Sequence, residues 1–155
     1  MMINYLKLFL ISMVPFIELR GAVIYSQYLG MPVIPSYLVC ALGNILPMPF
    51  IYIFAQKILA WGEKEKYIGG ICRFLNEKGR KAGIKLAEKA GKRGEFLALL
   101  LFVGIPVPGT GAWTATLAAS ILDIGRRNTF LAVALGVLLA GAIMMTAGIL
   151  GFNIL

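Results

Sequence analysis

The sequence has no histidine, two cysteines and seven carboxylates spread over 155 residues. Without histidine there is no Ser/His or Cys/His pair to activate a nucleophile, so an enzyme is the class with least support. Cys40 lies in an apolar run and Cys72 in a charged one, which gives neither a disulfide framework nor a Cys/His metal site. No carboxylate cluster could hold a metal, and nothing calls for a cofactor. Charge of either sign is scarce: 14% of residues are charged, 59% are hydrophobic, and the mean hydropathy is +0.84. A soluble domain of this size cannot hide so much apolar surface, whereas a bilayer absorbs it.

The charge that is present is concentrated. Ten of the 15 Lys and Arg residues fall between Glu63 and Glu95, so that this block supplies most of the net +8. Because this block is interleaved with Glu63, Glu65, Glu77, Glu88 and Glu95 and lies between apolar segments, it reads as a cytoplasmic loop and not as a nucleic-acid surface. Within it, Ile68, Ile71, Cys72 and Leu75 recur at helical spacing, as in a short helix lying on the membrane. Gly69, Gly70, Gly79, Gly83, Gly91 and Gly94 point to several short pieces. The N-terminus carries no basic stretch before its apolar run, so it reads as retained structure and not as a signal peptide.

Two segments, Ser36 to Trp61 and Asn128 to Leu155, are long enough to cross a hydrocarbon core of about 30 Å at about 1.5 Å per residue. Two others are interrupted. Met2 to Leu29 has Pro15, Glu18, Arg20 and Gly21 at its middle, and Phe96 to Leu122 has Gly104, Pro106, Pro108, Gly109 and Gly111. Each reads as two half-length helices joined by a re-entrant tip, since broken backbone at membrane depth needs protein or water around it. A shift of 93 residues aligns Val14-Pro15 with Val107-Pro108, Ala41-Leu42-Gly43 with Ala134-Leu135-Gly136, and Ser36-Tyr37-Leu38 with Thr129-Phe130-Leu131. The expected fold is therefore an all-α integral membrane protein with one membrane domain over 1–155. It contains repeat one (1–61), a basic cytoplasmic helical loop (62–95) and repeat two (96–155). A hairpin plus one span crosses an odd number of times, so the second copy starts from the opposite face and the repeat is inverted, with both termini outside.

Glu18 and Arg20 are the ionisable residues deep in the first hairpin, where an unpaired charge costs at least about 2.5 kcal/mol. They are therefore either a structural ion pair or functional groups. Burial and a neighbouring cation act on a carboxyl's proton in opposite senses, and the sequence does not rank them. In the second hairpin, Pro106, Pro108, Gly109, Thr110, Gly111, Trp113 and Thr114 form a run that exposes backbone amides and hydroxyls. A half-helix starting near Thr110 would present its N-terminus to an anionic group, with Arg20 assisting; alternatively the run is a tight bend capped by Thr110 and Thr114. Asn44, at the middle of the first span, either lines a path or binds helices together. Arg126 and Arg127 mark the cytoplasmic edge or gate it.

Pro15-Phe16-Ile17-Glu18-Leu19-Arg20-Gly21-Ala22 and Pro106-Val107-Pro108-Gly109-Thr110-Gly111-Ala112-Trp113, in so short a chain with so basic a centre, resemble the small multidrug export family across nearly the whole length. That family is itself distantly similar to the DedA-like (VTT-domain) membrane proteins. The resemblance implies paired hairpins that form a proton-linked lipid-carrier flippase or a lipid scramblase, with membrane lipids as partners; together with the charged tips it points to a small amphipathic, anionic or lipid-like substrate, and the small size of the chain points to a homodimer. DedA-like proteins commonly carry an acid beside the second Pro-Gly, whereas Thr110 follows Gly109 here, so one carboxylate, Glu18, would serve alone. A passive lipid scramblase and a non-transporting scaffold that recruits a partner through its basic loop remain as alternatives.

Overall fold

The computed structural model describes residues 2–64, 69–107 and 109–152; for Leu86, Ala87 and Phe152 it describes the backbone alone. The described residues form seven α-helices: α1 (Met2–Met13), α2 (Glu18–Tyr28), α3 (Val33–Ile45), α4 (Met48–Gly62), α5 (Gly69–Gly104), α6 (Ala112–Ile121) and α7 (Arg126–Phe152). Val33–Gly62 and Arg126–Gly151 are long and apolar enough to cross a membrane.

Proline and glycine set most of the boundaries. Helix α1 stops ahead of Pro15, and α3 starts after Pro32, whose fixed φ suits a helix entry. Pro47 lacks an amide, so the ladder pauses between α3 and α4. It continues because the Leu46 amide bonds the Leu42 carbonyl (3.0 Å) and the Ile51 amide bonds that of Pro47 (3.0 Å), leaving one span with a kink.

Helix α5 differs from the sequence expectation. The basic segment is helical without a break from Gly69 up to Gly91 and not several short pieces; at Gly91 (φ 62, ψ 178) the backbone leaves the helix, and a second helical stretch runs on to Gly104. Gly79 and Gly83 sit inside it because they are contact points: a β-carbon on either would overlap the carbonyl oxygen of Ile121 or Leu122 at the end of α6. The helix buries Cys72, Gly79 and Gly83 and leaves Ile71, Phe74 and Leu75 exposed; Ile68 lies outside the described residues.

Small residues let the remaining helices approach closely. Gly43 of α3 abuts the Phe9 carbonyl of α1, and Gly136 of α7 abuts Leu100 and Val103 of α5. Leu8, Leu19, Val23, Val103, Val133 and Val137 fill the centre. Outside it, Leu10, Phe50, Phe54, Leu101 and Leu135 are exposed, the surface a lipid environment covers.

The long helices run antiparallel. Tyr37 near the start of α3 donates to the Leu138 carbonyl in α7 (2.8 Å), and Tyr52 in α4 donates to the Ile124 carbonyl just before α7 (2.5 Å). Helix α2 runs parallel to α7, since Leu19 meets Gly141 and Gln27 meets Gly148.

The turns α2–α3 and α6–α7 are built alike, 93 residues apart. In the first, the amides of Leu29, Gly30 and Met31 bond the carbonyls of Tyr25, Gln27 and Ser26; in the second, those of Leu122, Asp123 and Ile124 bond Ala118, Ser120 and Ala119. Gly30 (φ 63) and Asp123 (φ 57) occupy the same left-handed position, as do Phe16 (φ 73) and Gly109 (φ 87) at the hairpin tips.

Candidate functional site

The two interrupted segments meet at their breaks. Glu18 is the first residue of α2, and Gly111 caps α6 in extended conformation, leaving the first amides of α6 without helical partners. The Glu18 carboxylate accepts from two of them, the amide of Ala112 to Oε2 (3.3 Å) and that of Trp113 to Oε1 (3.1 Å). The carboxylate is thus buried, 5% exposed, against the positive end of a helix dipole. Gly111 makes the approach possible, because a β-carbon there would overlap the carboxylate.

Arg20 makes the complementary contact, one end of a helix further back. Its guanidinium donates to the carbonyls of Val103 (3.2 Å), Ile105 (3.4 Å), Val107 and Thr110 (3.1 Å), and to Thr110 Oγ1 (3.2 Å). Val103 and Ile105 stand at the end of α5, where unpaired carbonyls make the negative pole. A planar cation with five N–H groups is suited to such a fan of acceptors. Glu18 and Arg20 make no ion pair with each other within 4.0 Å; each is matched by the opposite pole of the other hairpin. Among the described residues, then, the tip is not closed by a Glu18–Arg20 ion pair.

The backbone is strained where this happens. Glu18 has φ 50 and Phe16 φ 73, left-handed values uncommon for residues other than glycine. Phe16 is 97% exposed, so no packing of its ring accounts for the conformation. Such geometry persists where surrounding bonds hold it, and here those bonds belong to Glu18 and Arg20.

The remaining expected residues distribute as follows. Thr110 joins the site through its hydroxyl, within 2.8 Å of the Val107 carbonyl and 3.0 Å of that of Ile105. Trp113 contributes its amide to Glu18 while its indole donates to the Met13 carbonyl at the end of α1 (3.2 Å). Pro15 and Pro106 are half-buried in the two turns, Gly109 forms the exposed bend, and Gly21 faces Ile17. Thr114 points outward, and Pro108 lies outside the described residues. Asn44 is buried in α3 with its Oδ1 unpartnered, and it touches neither Glu18 nor Arg20 by hydrogen bonding.

Sequence reasoning missed Ala112 and the carbonyls of Val103, Ile105 and Val107, because backbone groups carry no residue signature; the prolines and glycines around them were the available signal. It also missed Gln27, whose amide bonds the Met145 carbonyl (2.9 Å) while its Oε1 is buried without a partner.

Two cavities lie beside the site. One of about 830 Å³ runs between α4 and α6, walled by apolar side chains and ending at Met13 and Trp113, next to Glu18. The other, about 300 Å³, lies between α4 and α7. Neither is lined by Glu18 or Arg20; Glu18 is buried, whereas Arg20 is half-buried beside the exposed bend at Gly109.

No curated protein and no solved structure matches this chain. A family model does: that of the "Putative small multi-drug export protein" matches residues 18–143, from Glu18 at the head of α2 well into α7. With two helices long and apolar enough to cross a membrane and a family described by export and not by catalysis, the chain is a membrane protein that belongs to the small multi-drug export protein family.

Proposed function

We propose that the protein is a membrane transporter for a small anionic or amphipathic molecule, built as an inverted repeat with two re-entrant hairpins, in which Glu18 is a resident anion on the site its substrate uses. The carrying observation is the pair of bonds from the Ala112 and Trp113 amides to the Glu18 carboxylate. A helix N-terminus inside an apolar protein is an anion site. In this conformation the chain's own carboxylate fills it, with Arg20 a few residues away.

An incoming phosphate or carboxylate would exchange with Glu18, and a proton arriving on Glu18 would remove its charge-assisted bonds and release the α6 amides. Protonation of Glu18 would thus free the pair of donors that the substrate needs, so proton and substrate would favour each other's binding, which is coupling in its simplest form. The family's description, small multi-drug export, supports a small-molecule cargo. Antiparallel long helices, the matched turns and the meeting of two breaks support inverted repeats. The contact of Gly79 and Gly83 with the end of α6 supports a common, cytoplasmic face for the basic helix, Arg126 and Arg127, with both termini outside.

Proteoliposome flux at several pH values tests the reading. Glu18→Gln should abolish the pH dependence; an unaltered pH profile would remove Glu18 from the mechanism. A passive lipid scramblase is favoured by one observation, the apolar cavity of about 830 Å³ that ends at Trp113. It would expose the fluorescent lipid of both leaflets to a membrane-impermeant reductant added outside sealed vesicles, without any gradient.

A further inference from the structure

The smaller cavity, of about 300 Å³, differs in kind from the larger one. Its floor is apolar, with Met48 and Ile53 from α4 and Phe130 from α7, while Arg126 and Arg127 from the first turn of α7 stand at its edge. Both arginines are exposed, and neither lies within 4.0 Å of a carboxylate among the described residues; the nearby Asp123 is exposed too. The hydroxyls that could offer other chemistry are engaged: Tyr52 and Thr129 bond the Ile124 carbonyl (2.5 and 3.3 Å), and Thr116 bonds Met48 Sδ (3.1 Å).

The place related to this one by the 93-residue shift is different. Val33 and Ile34 stand where Arg126 and Arg127 do, and Tyr37 stands where Phe130 does, half-buried with its hydroxyl on Leu138. The first place is therefore apolar, while the second has a pocket edged by two arginines that pair with no carboxylate among the described residues. The basic helix α5 packs beside this second place, against the end of α6.

We infer that the α4–α7 cavity binds one phosphate-bearing amphiphile, its anionic group on Arg126 and Arg127 and its apolar portion over Met48, Ile53 and Phe130. Basic pockets between membrane helices on the cytoplasmic side favour anionic lipid headgroups, and a guanidinium pair suits phosphate geometry better than point charges do. The inference does not rest on the transport reading, since neither Glu18 nor Arg20 takes part.

Native mass spectrometry of the full-length protein in detergent tests it, with phosphatidylglycerol and phosphatidylcholine of equal chain length as probes and inorganic phosphate as competitor. Phosphatidylglycerol should be retained at least tenfold more tightly. Arg126→Gln with Arg127→Gln should bring it down to the phosphatidylcholine level, whereas Arg126→Lys with Arg127→Lys should stay within about threefold of wild type, which excludes misfolding as the cause. Ile53→Trp, which fills the floor, should weaken binding about tenfold, and inorganic phosphate should compete only at far higher concentration. Equal retention of the two lipids, or full binding by the double Gln protein, would show the arginines to be topology markers alone. Full binding by Ile53→Trp, or displacement by phosphate as readily as by lipid, would show that the cavity has no part; either result overturns the assignment.

Discussion

At the scale of single residues, the protein keeps two charges inside an apolar body by giving each a helix end. Removing the room for one should be costly. Gly111→Ala places a β-carbon in the Glu18 carboxylate and forces it off two amides. The loss should be about 3 kcal/mol, as for a buried charge deprived of its hydrogen bonds, read as a lower midpoint in thermal unfolding in detergent. Glu18→Gln retains the shape and one acceptor oxygen, so its midpoint should fall by less. Arg20→Lys offers three donors to a fan of five acceptors spread over Val103 to Thr110, and the unfolding midpoint should drop although the charge is conserved. Glu18 and Arg20 were conspicuous in the sequence because each is a charge in an apolar run, and the structure gives each a set of backbone partners. Their partners were not, because an amide or carbonyl belongs to every residue and only the fold frees it. The 93-residue shift also places Glu18 opposite Gly111, and these two touch: the space at Gly111 is taken by the Glu18 carboxylate.

At the scale of elements, prolines and glycines were legible as breaks where they leave backbone groups unpaired, as at Pro15, Pro47 and Pro106. They were misleading inside α5, where Gly79 and Gly83 serve contact and not bending. Composition does not tell a glycine that faces a neighbouring backbone from one that turns the chain. Gly91 is the one that turns it, at φ 62 and ψ 178, a region practically closed to other residues. Gly91→Ala should cost about 1 to 3 kcal/mol or force the kink to open. Spin labels at Lys85 and Leu131 would report an opening as a changed distance distribution. Gly83→Leu should instead lift α5 from the α6–α7 turn, and the same label pair should broaden without the midpoint of the distribution being restored at low temperature.

At the scale of the whole molecule, two tyrosines fasten the antiparallel long helices, Tyr37 at the middle of α7 through Leu138 and Tyr52 just before its start through Ile124. Each bond contributes about 1 kcal/mol, so the double Phe variant should unfold at a lower temperature, by the sum of the single effects, since the sites are far apart. If the long helices cross a bilayer in opposite senses, single cysteines at Met31 and Gly151, in a background without Cys40 and Cys72, should label from one face, and those at Lys64 and Gly125 from the other. Labelling of all four from one face would discard the inverted arrangement. The proposed duplication rests in the sequence on scattered identities at a 93-residue shift. Its turns were not legible there, because Gly30 and Asp123 share a backbone conformation without sharing a side chain.

Trp113 ties these scales together: its amide holds the Glu18 carboxylate and its indole holds the last carbonyl of α1. Trp61 is the other tryptophan in the chain and stands exposed at the end of α4. Replacing it with phenylalanine leaves a single fluorophore wired to the anion at the centre of the molecule. On the proposed mechanism, the emission of that one tryptophan should shift when Glu18 leaves the α6 amides, a gauge that needs no dye; emission unchanged during transport would count against the exchange.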